Sequence, residues 1–210
     1  MQNISPYKNE ERLNTISHGI GAALSILGLL LLMKQNSNKS EYATISILIY
    51  SVTLISMFAI STAYHLTTNI KLKKKFRVLD HINIYLLIAG TYTPVALITL
   101  INGNGWTIFN AVWIIAALGT LFKFFYTGKL EFLSLLLYVA MGWLIVLDFS
   151  NLIDYTAPLG LRLLFLGGAF YTFGILFYAL ERIPYNHFIW HVFVLGGAIS
   201  HWLMIYFYVV

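Results

Sequence analysis

The sequence predicts an all-α protein: a bundle of seven transmembrane helices, with the N-terminus cytoplasmic and the C-terminus extracytoplasmic. Three observations predict it. The 210 residues are 59% hydrophobic and only 10% charged, with a mean hydropathy of +0.77. Soluble domains average roughly 45–50% apolar and about 25% charged, so this chain cannot cover itself with polar surface in water. Apolar stretches recur seven times, each close to the ~20 residues that a helix needs to cross about 30 Å of hydrocarbon. The basic residues gather in the short stretches between them, as loops at a lipid surface do. Backbone groups in lipid must bond within their own segment, so each stretch reads as a helix.

After a polar lead ending in Glu10-Glu11-Arg12, the first span covers Leu13 to Met33, followed by a loop from Lys34 to Glu41. The second covers Tyr42 to Leu66, and a basic loop from Thr67 to Val78 follows it. The third covers Leu79 to Ile101, with the turn Asn102-Gly-Asn-Gly105 behind it. The fourth covers Trp106 to Tyr126 and the fifth Glu131 to Phe149, with a polar link from Ser150 to Pro158. The sixth covers Leu159 to Leu180, and Glu181 to Pro184 connect it to the seventh, Tyr185 to Val210. No polar stretch is long enough for a second domain, so residues 1–210 are expected to form one. The glycines of the first, sixth and seventh spans suit close packing of helix backbones, and Trp106 and Tyr185 suit interfacial anchoring.

Basic residues set the orientation. Lys8, Arg12, Lys71, Lys73, Lys74, Lys75, Arg77, Lys123, Lys129 and Arg182 fall on one side, and Lys34, Lys39 and Arg162 on the other. The richer side is expected to face the cytoplasm of a cell membrane, the inner or plasma membrane of a bacterium. A net charge of +5 therefore reads as topology and contact with anionic lipid, and no nucleic-acid partner is expected. The chain has no cysteine, which removes disulfides and thiolate metal sites. No cleavable signal peptide is expected, because no small-residue cleavage pattern follows the first span.

With this topology, the ionisable residues of the spans fall at one depth. His65 ends the second span, Asp80 opens the third, His187 and His191 open the seventh, and Glu11, Asn14, Ser17 and His18 lie at the start of the first. Ionisable groups inside a membrane are rare and face the bundle interior, where they mark function. His187 and His191 are four residues apart, one helical turn, which presents two nitrogens to one ion. The expectation is that His65, His187 and His191 meet on a zinc ion with Asp80 close by. Blander readings stand beside it. His65 or His18 alone suits an interfacial histidine. Asp80 could pair with Arg77, and Ser61 could bond back to a backbone carbonyl. His81 points elsewhere on its helix than Asp80, His201 suits a satisfied interior position, and Asp148 and Asp154 lie toward the far side.

Three imidazoles without a thiolate suit a catalytic zinc, which keeps its fourth position open; imidazoles alone would also take copper, nickel or iron. Zinc brings a water to a pKa of about 7. Asp80 would hold or deprotonate that water, and Ser61 would bond a developing oxyanion or orient the water or Asp80.

At these residues the chain resembles a known family. Glu11-Arg-Leu-Asn14-Thr-Ile-Ser17-His18, Ser61-Thr-Ala-Tyr-His65, Leu79-Asp80-His81 and His187-Phe-Ile-Trp-His191 are similar to motifs of the progestin and adipoQ receptor family, and the short lead and small size to its bacterial hemolysin III branch. The resemblance implies seven helices with the N-terminus inside and zinc on His65, His187 and His191 near the inner leaflet. It also implies that Asp80 lies by the zinc-bound water, with Ser61 close to it. Relatives include receptors linked to ceramide hydrolysis, and a wider set of membrane hydrolases. The expected function is thus zinc-dependent hydrolysis of a lipid amide or ester, serving membrane lipid homeostasis, with membrane lipid as the partner. The alternatives are a pore-forming, cytolytic protein, as the hemolysin III name implies, and a non-catalytic receptor or lipid sensor that zinc merely stabilises. Homo-oligomerisation is left open.

Overall fold

The structure, a computed structural model, describes residues 4–180 and 182–210. Its helices are α1 (Ile4–Gln35), α2 (Ala43–Leu66), α3 (Ile70–Pro94), α4 (Gly105–Tyr126), α5 (Glu131–Gly142), α6 (Phe149–Tyr155), α7 (Pro158–Ala179) and α8 (Asn186–Met204). No strand occurs among the described residues. Seven helical segments are long and apolar enough to cross a membrane. The chain is therefore a multi-pass membrane protein.

Three boundaries differ from the sequence reading. The basic stretch after α2 is helical. The side chain of Asn69 caps α3 by accepting from the backbone N–H groups of Lys71 and Leu72, which leaves only Thr67 to Asn69 outside a helix. Lysine and arginine are good helix formers, so their polarity signals water and headgroups rather than a loop. The lead is helical too, and α1 runs back to Ile4. The fifth span is interrupted: α5 ends at Gly142, a 3-10 turn covers Leu144–Asp148, and α6 carries the helix on to Tyr155. The predicted polar link shrinks to Thr156 and Ala157. Glu181, in the predicted connection between the last two spans, lies outside the described residues.

The packing order places the site. α1 packs on α2 and α8, α2 on α3, α3 on α4 and α5, α5 on α7, and α7 on α8. This closes a ring through α1, α2, α3, α5, α7 and α8, with α4 against α3. Gly21 lets α1 approach closely, because a Cβ there would meet Phe58 of α2 at 2.8 Å and Leu195 of α8 at 2.9 Å. Pro94 ends the regular part of α3, and a single π turn, Val95–Thr99, follows it, as expected where proline removes a ladder hydrogen bond.

Candidate metal centre

At one end of the ring the chain brings together imidazoles more than 120 positions apart. The imidazoles of His65, at the end of α2, and of His187 and His191, on the first turns of α8, each offer a nitrogen within 4.8 Å of the others. Their ring centroids are 5.0, 4.9 and 4.8 Å apart. His65 and His191 are buried. The Nε2 atoms of His65 and His187 are enclosed without a hydrogen-bond partner. Buried polar atoms normally find partners, so two unpaired lone pairs converging with a third imidazole suit a cation.

The other polar residues of this end surround the cluster. The Ser61 hydroxyl, one turn before His65, neighbours the Asp80 carboxylate, and both lie close to the His65 ring. Arg77 turns away from Asp80, and its guanidinium lies 4.0 Å from Glu131. From α1, Glu11 Oε2 lies 3.3 Å from His65 Nδ1 and accepts from Lys73 Nζ at 2.6 Å. Glu10 Oε1 accepts from the backbone N–H groups of His187 and Phe188 at 3.1 and 3.4 Å, and so caps α8, as a carboxylate at a helix N-terminus does. Ser17 Oγ lies 3.3 Å from His191 Nδ1, and the His18 ring stacks on that of His191 at 3.5 Å and 9°.

Two predicted bystanders lie outside the cluster. His201 Nε2 bonds the carbonyl of Leu164 at 3.0 Å, an interior histidine with a backbone partner. His81 faces the other side of α3, where its Nδ1 lies 3.6 Å from Glu131 Oε2. There the structure holds a group that the sequence reading missed. Lys123 is fully buried and its Nζ lies 2.6 Å from Glu131 Oε2, while Glu131 Oε1 accepts from the Gly128 N–H at 2.8 Å. The available signal was a lysine inside an apolar span, which needs a partner in lipid.

A cavity of about 110 Å³ opens inside the ring. Met57, Ile84, Ile88, Trp190 and Val194 line it, with Trp143 and Leu164 farther along. Met57 and Ile84 lie one turn deeper than Ser61 and Asp80, and Trp190 adjoins His191. An apolar chamber therefore begins where the polar cluster ends.

A family model for Haemolysin-III related proteins matches residues 7–202, from α1 to the end of α8. The chain belongs to this family. Among its relatives, it is 40% identical to Hemolysin-3 of Bacillus cereus over 210 residues, covering 100% of this chain and 96% of the relative. It is also 40% identical to the Hemolysin-3 homolog of Bacillus subtilis (strain 168) over 202 residues, covering 96% of this chain and 95% of the relative. The human monocyte to macrophage differentiation factor is 29% identical over 208 residues, covering 95% of this chain and 84% of the relative. The matched region of the haemolysin-III chain contains all three histidines of the cluster, together with Ser61 and Asp80.

Proposed function

We propose that this chain is a zinc-dependent intramembrane hydrolase of a lipid amide or ester. One observation carries the reading: the histidine cluster, with Asp80 and Ser61 beside it, lies one helical turn from Met57 and Ile84, which line an apolar cavity. A substrate with a polar scissile bond next to a long apolar chain matches that arrangement of groups. The donor set suits zinc in an open, catalytic coordination, with three imidazoles and no thiolate. His65, His187 and His191 would hold the ion, which supplies Lewis acidity and brings water into nucleophilic range near neutral pH. Asp80 is the group to take a proton from the attacking water and return it to the leaving nitrogen or oxygen. Ser61 orients the Asp80 carboxylate through its hydroxyl, and the cavity wall keeps bulk water away from the acyl chain. The basic side of the protein, with α3 running out to Lys71, suits the cytosolic leaflet. Membrane lipid is then both solvent and substrate.

The decisive experiment uses purified protein with a fluorescent ceramide and a fluorescent acyl ester. Hydrolysis that disappears in both His191→Ala and Asp80→Ala supports the reading. A wild-type protein that holds zinc but turns over neither probe overturns it. A second reading, membrane lysis, comes from the name of the Bacillus cereus relative, Hemolysin-3. Dye leakage from liposomes that survives His191→Ala would favour it. The apolar lining of the cavity speaks against an aqueous pore.

A further inference from the structure

α1 gives no imidazole to the three-histidine cluster, yet its side chains meet two of the three rings by three separate contacts, besides the Glu10 bond to the His187 backbone. We propose that α1 is the orienting wall of the centre: Glu11 is a positioning residue for His65, and Ser17 and His18 are positioning residues for His191. The inference deepens the metal reading and rests on it in one respect, that the free nitrogens point to an ion.

The hydrogen bonds fix which nitrogen is free. A serine hydroxyl has one proton to give. Ser17 donates it to the carbonyl of Asn14 at 3.0 Å, so toward His191 its oxygen is an acceptor. With the hydroxyl so turned, the Nδ1 atom at 3.3 Å is assigned the proton, which leaves the Nε2 lone pair of His191 for a ligand. Glu11 works in the same way on the other helix. Its carboxylate, held by the Lys73 ammonium at 2.6 Å, can only accept, so His65 Nδ1 is the donor and Nε2 is free. That Nε2 is one of the enclosed atoms without a partner. Two helices thus present the same tautomer because a third helix sets both.

His18 completes the device and is not a fourth ligand. An imidazole binds a metal ion in its own ring plane. The His18 and His191 planes are stacked nearly parallel, so one ion cannot lie in both. His18 is 1% exposed, and neither of its ring nitrogens has a partner. Its contact with the site is the ring face, which blocks rotation of His191. The ring lies edge-on to Phe58 of α2, with centroids 5.0 Å apart, so α2 holds it from another side.

The test uses the full chain in nanodiscs with 15N-labelled histidine. Tautomers are read by NMR on metal-free protein, and zinc affinity by chelator competition. The wild type is expected to show Nδ1–H at His65 and His191. Ser17→Ala should lose that tautomer at His191, Glu11→Ala should lose it at His65, and each should weaken zinc about 10–100-fold, as loss of an outer partner does elsewhere. Ser17→Thr, which keeps the hydroxyl, should restore both readouts, and this separates orientation from misfolding. His18→Phe, which keeps a flat ring, should hold zinc within about threefold, far short of the loss expected for a ligand. Nε2–H at His65 and His191 in the wild type would overturn the proposal. So would unchanged tautomers in Ser17→Ala and Glu11→Ala, or loss of zinc in His18→Phe as complete as in His191→Ala. A wild type that binds no zinc but shows these tautomer changes would sink the metal reading and leave the orienting role standing.

Discussion

The ammonium of Lys123 has no exposed surface and lies 2.6 Å from the Glu131 carboxylate. A lysine so placed has no water to solvate it, and its partner is as much a requirement as a preference. Breaking a buried pair from one side costs about 3–5 kcal/mol, whereas replacing both partners with apolar residues is often neutral. Glu131 is 30% exposed on its side chain, so the lower end applies here, about 3 kcal/mol for Glu131→Leu alone. Thermal unfolding in detergent should show a clear drop for Glu131→Leu and recovery in the Lys123→Met/Glu131→Leu double variant. Equal melting of the single and double variants would show that the two side chains are not coupled.

Metal content is expected to follow the cluster and not histidine count. Zinc measured on purified protein should fall well below one per chain in His65→Ala, His187→Ala and His191→Ala. It should stay at the wild-type level in His81→Ala, whose ring faces Glu131, and in His201→Ala, whose ring bonds a backbone carbonyl. Equal losses in all five would point to unfolding in place of ligation.

Asp80 and Ser61 are expected to separate binding from chemistry. Asp80→Asn should retain zinc and lose roughly 10²–10⁴-fold in turnover, the range for removal of a general acid–base. Ser61→Ala should keep zinc and lose less, because the carboxylate remains. An Asp80→Asn protein that hydrolyses the fluorescent ceramide at the wild-type rate would remove Asp80 from the reaction.

How much of this was legible in the sequence follows from range. The spans were, because hydrophobicity over ~20 residues is a local property, and so was the shared depth of His65, Asp80, His187 and His191, which alternation of the helices imposes. The start of α3 was not, since lysines from Lys71 to Lys75 look alike in a loop and in a helix at the headgroups. What decides is the Asn69 cap, a single side chain. The work of α1 was hidden for a different reason. Glu11 meets His65 across 54 residues and Ser17 meets His191 across 174, and no spacing rule links such pairs. Only the closure of α1 against both α2 and α8 makes them neighbours.

The cavity should read out chain length. Val139→Trp or Ile88→Trp places an indole in the chamber. KM should rise for long-chain ceramide while short-chain probes and zinc content stay as in the wild type. A uniform loss across chain lengths would place the acyl group elsewhere.

Orientation can be measured directly because the chain has no cysteine. Lys129→Cys and Lys39→Cys introduce single thiols at exposed positions on opposite ends. In intact cells a membrane-impermeant maleimide should label Lys39→Cys and spare Lys129→Cys. The reverse pattern would invert the predicted topology.

Glu10 and Glu11 stand on α1, yet they grip α8 and the end of α2. During synthesis at the ribosome those two carboxylates are made before α2 and α8, and they wait with their final partners still untranslated. A nascent protein halted before α8 would carry one of the three imidazoles and no loop of contacts to hold it. Maturation of the centre therefore waits for α8, and translation products that stop before it are expected to stay metal-free.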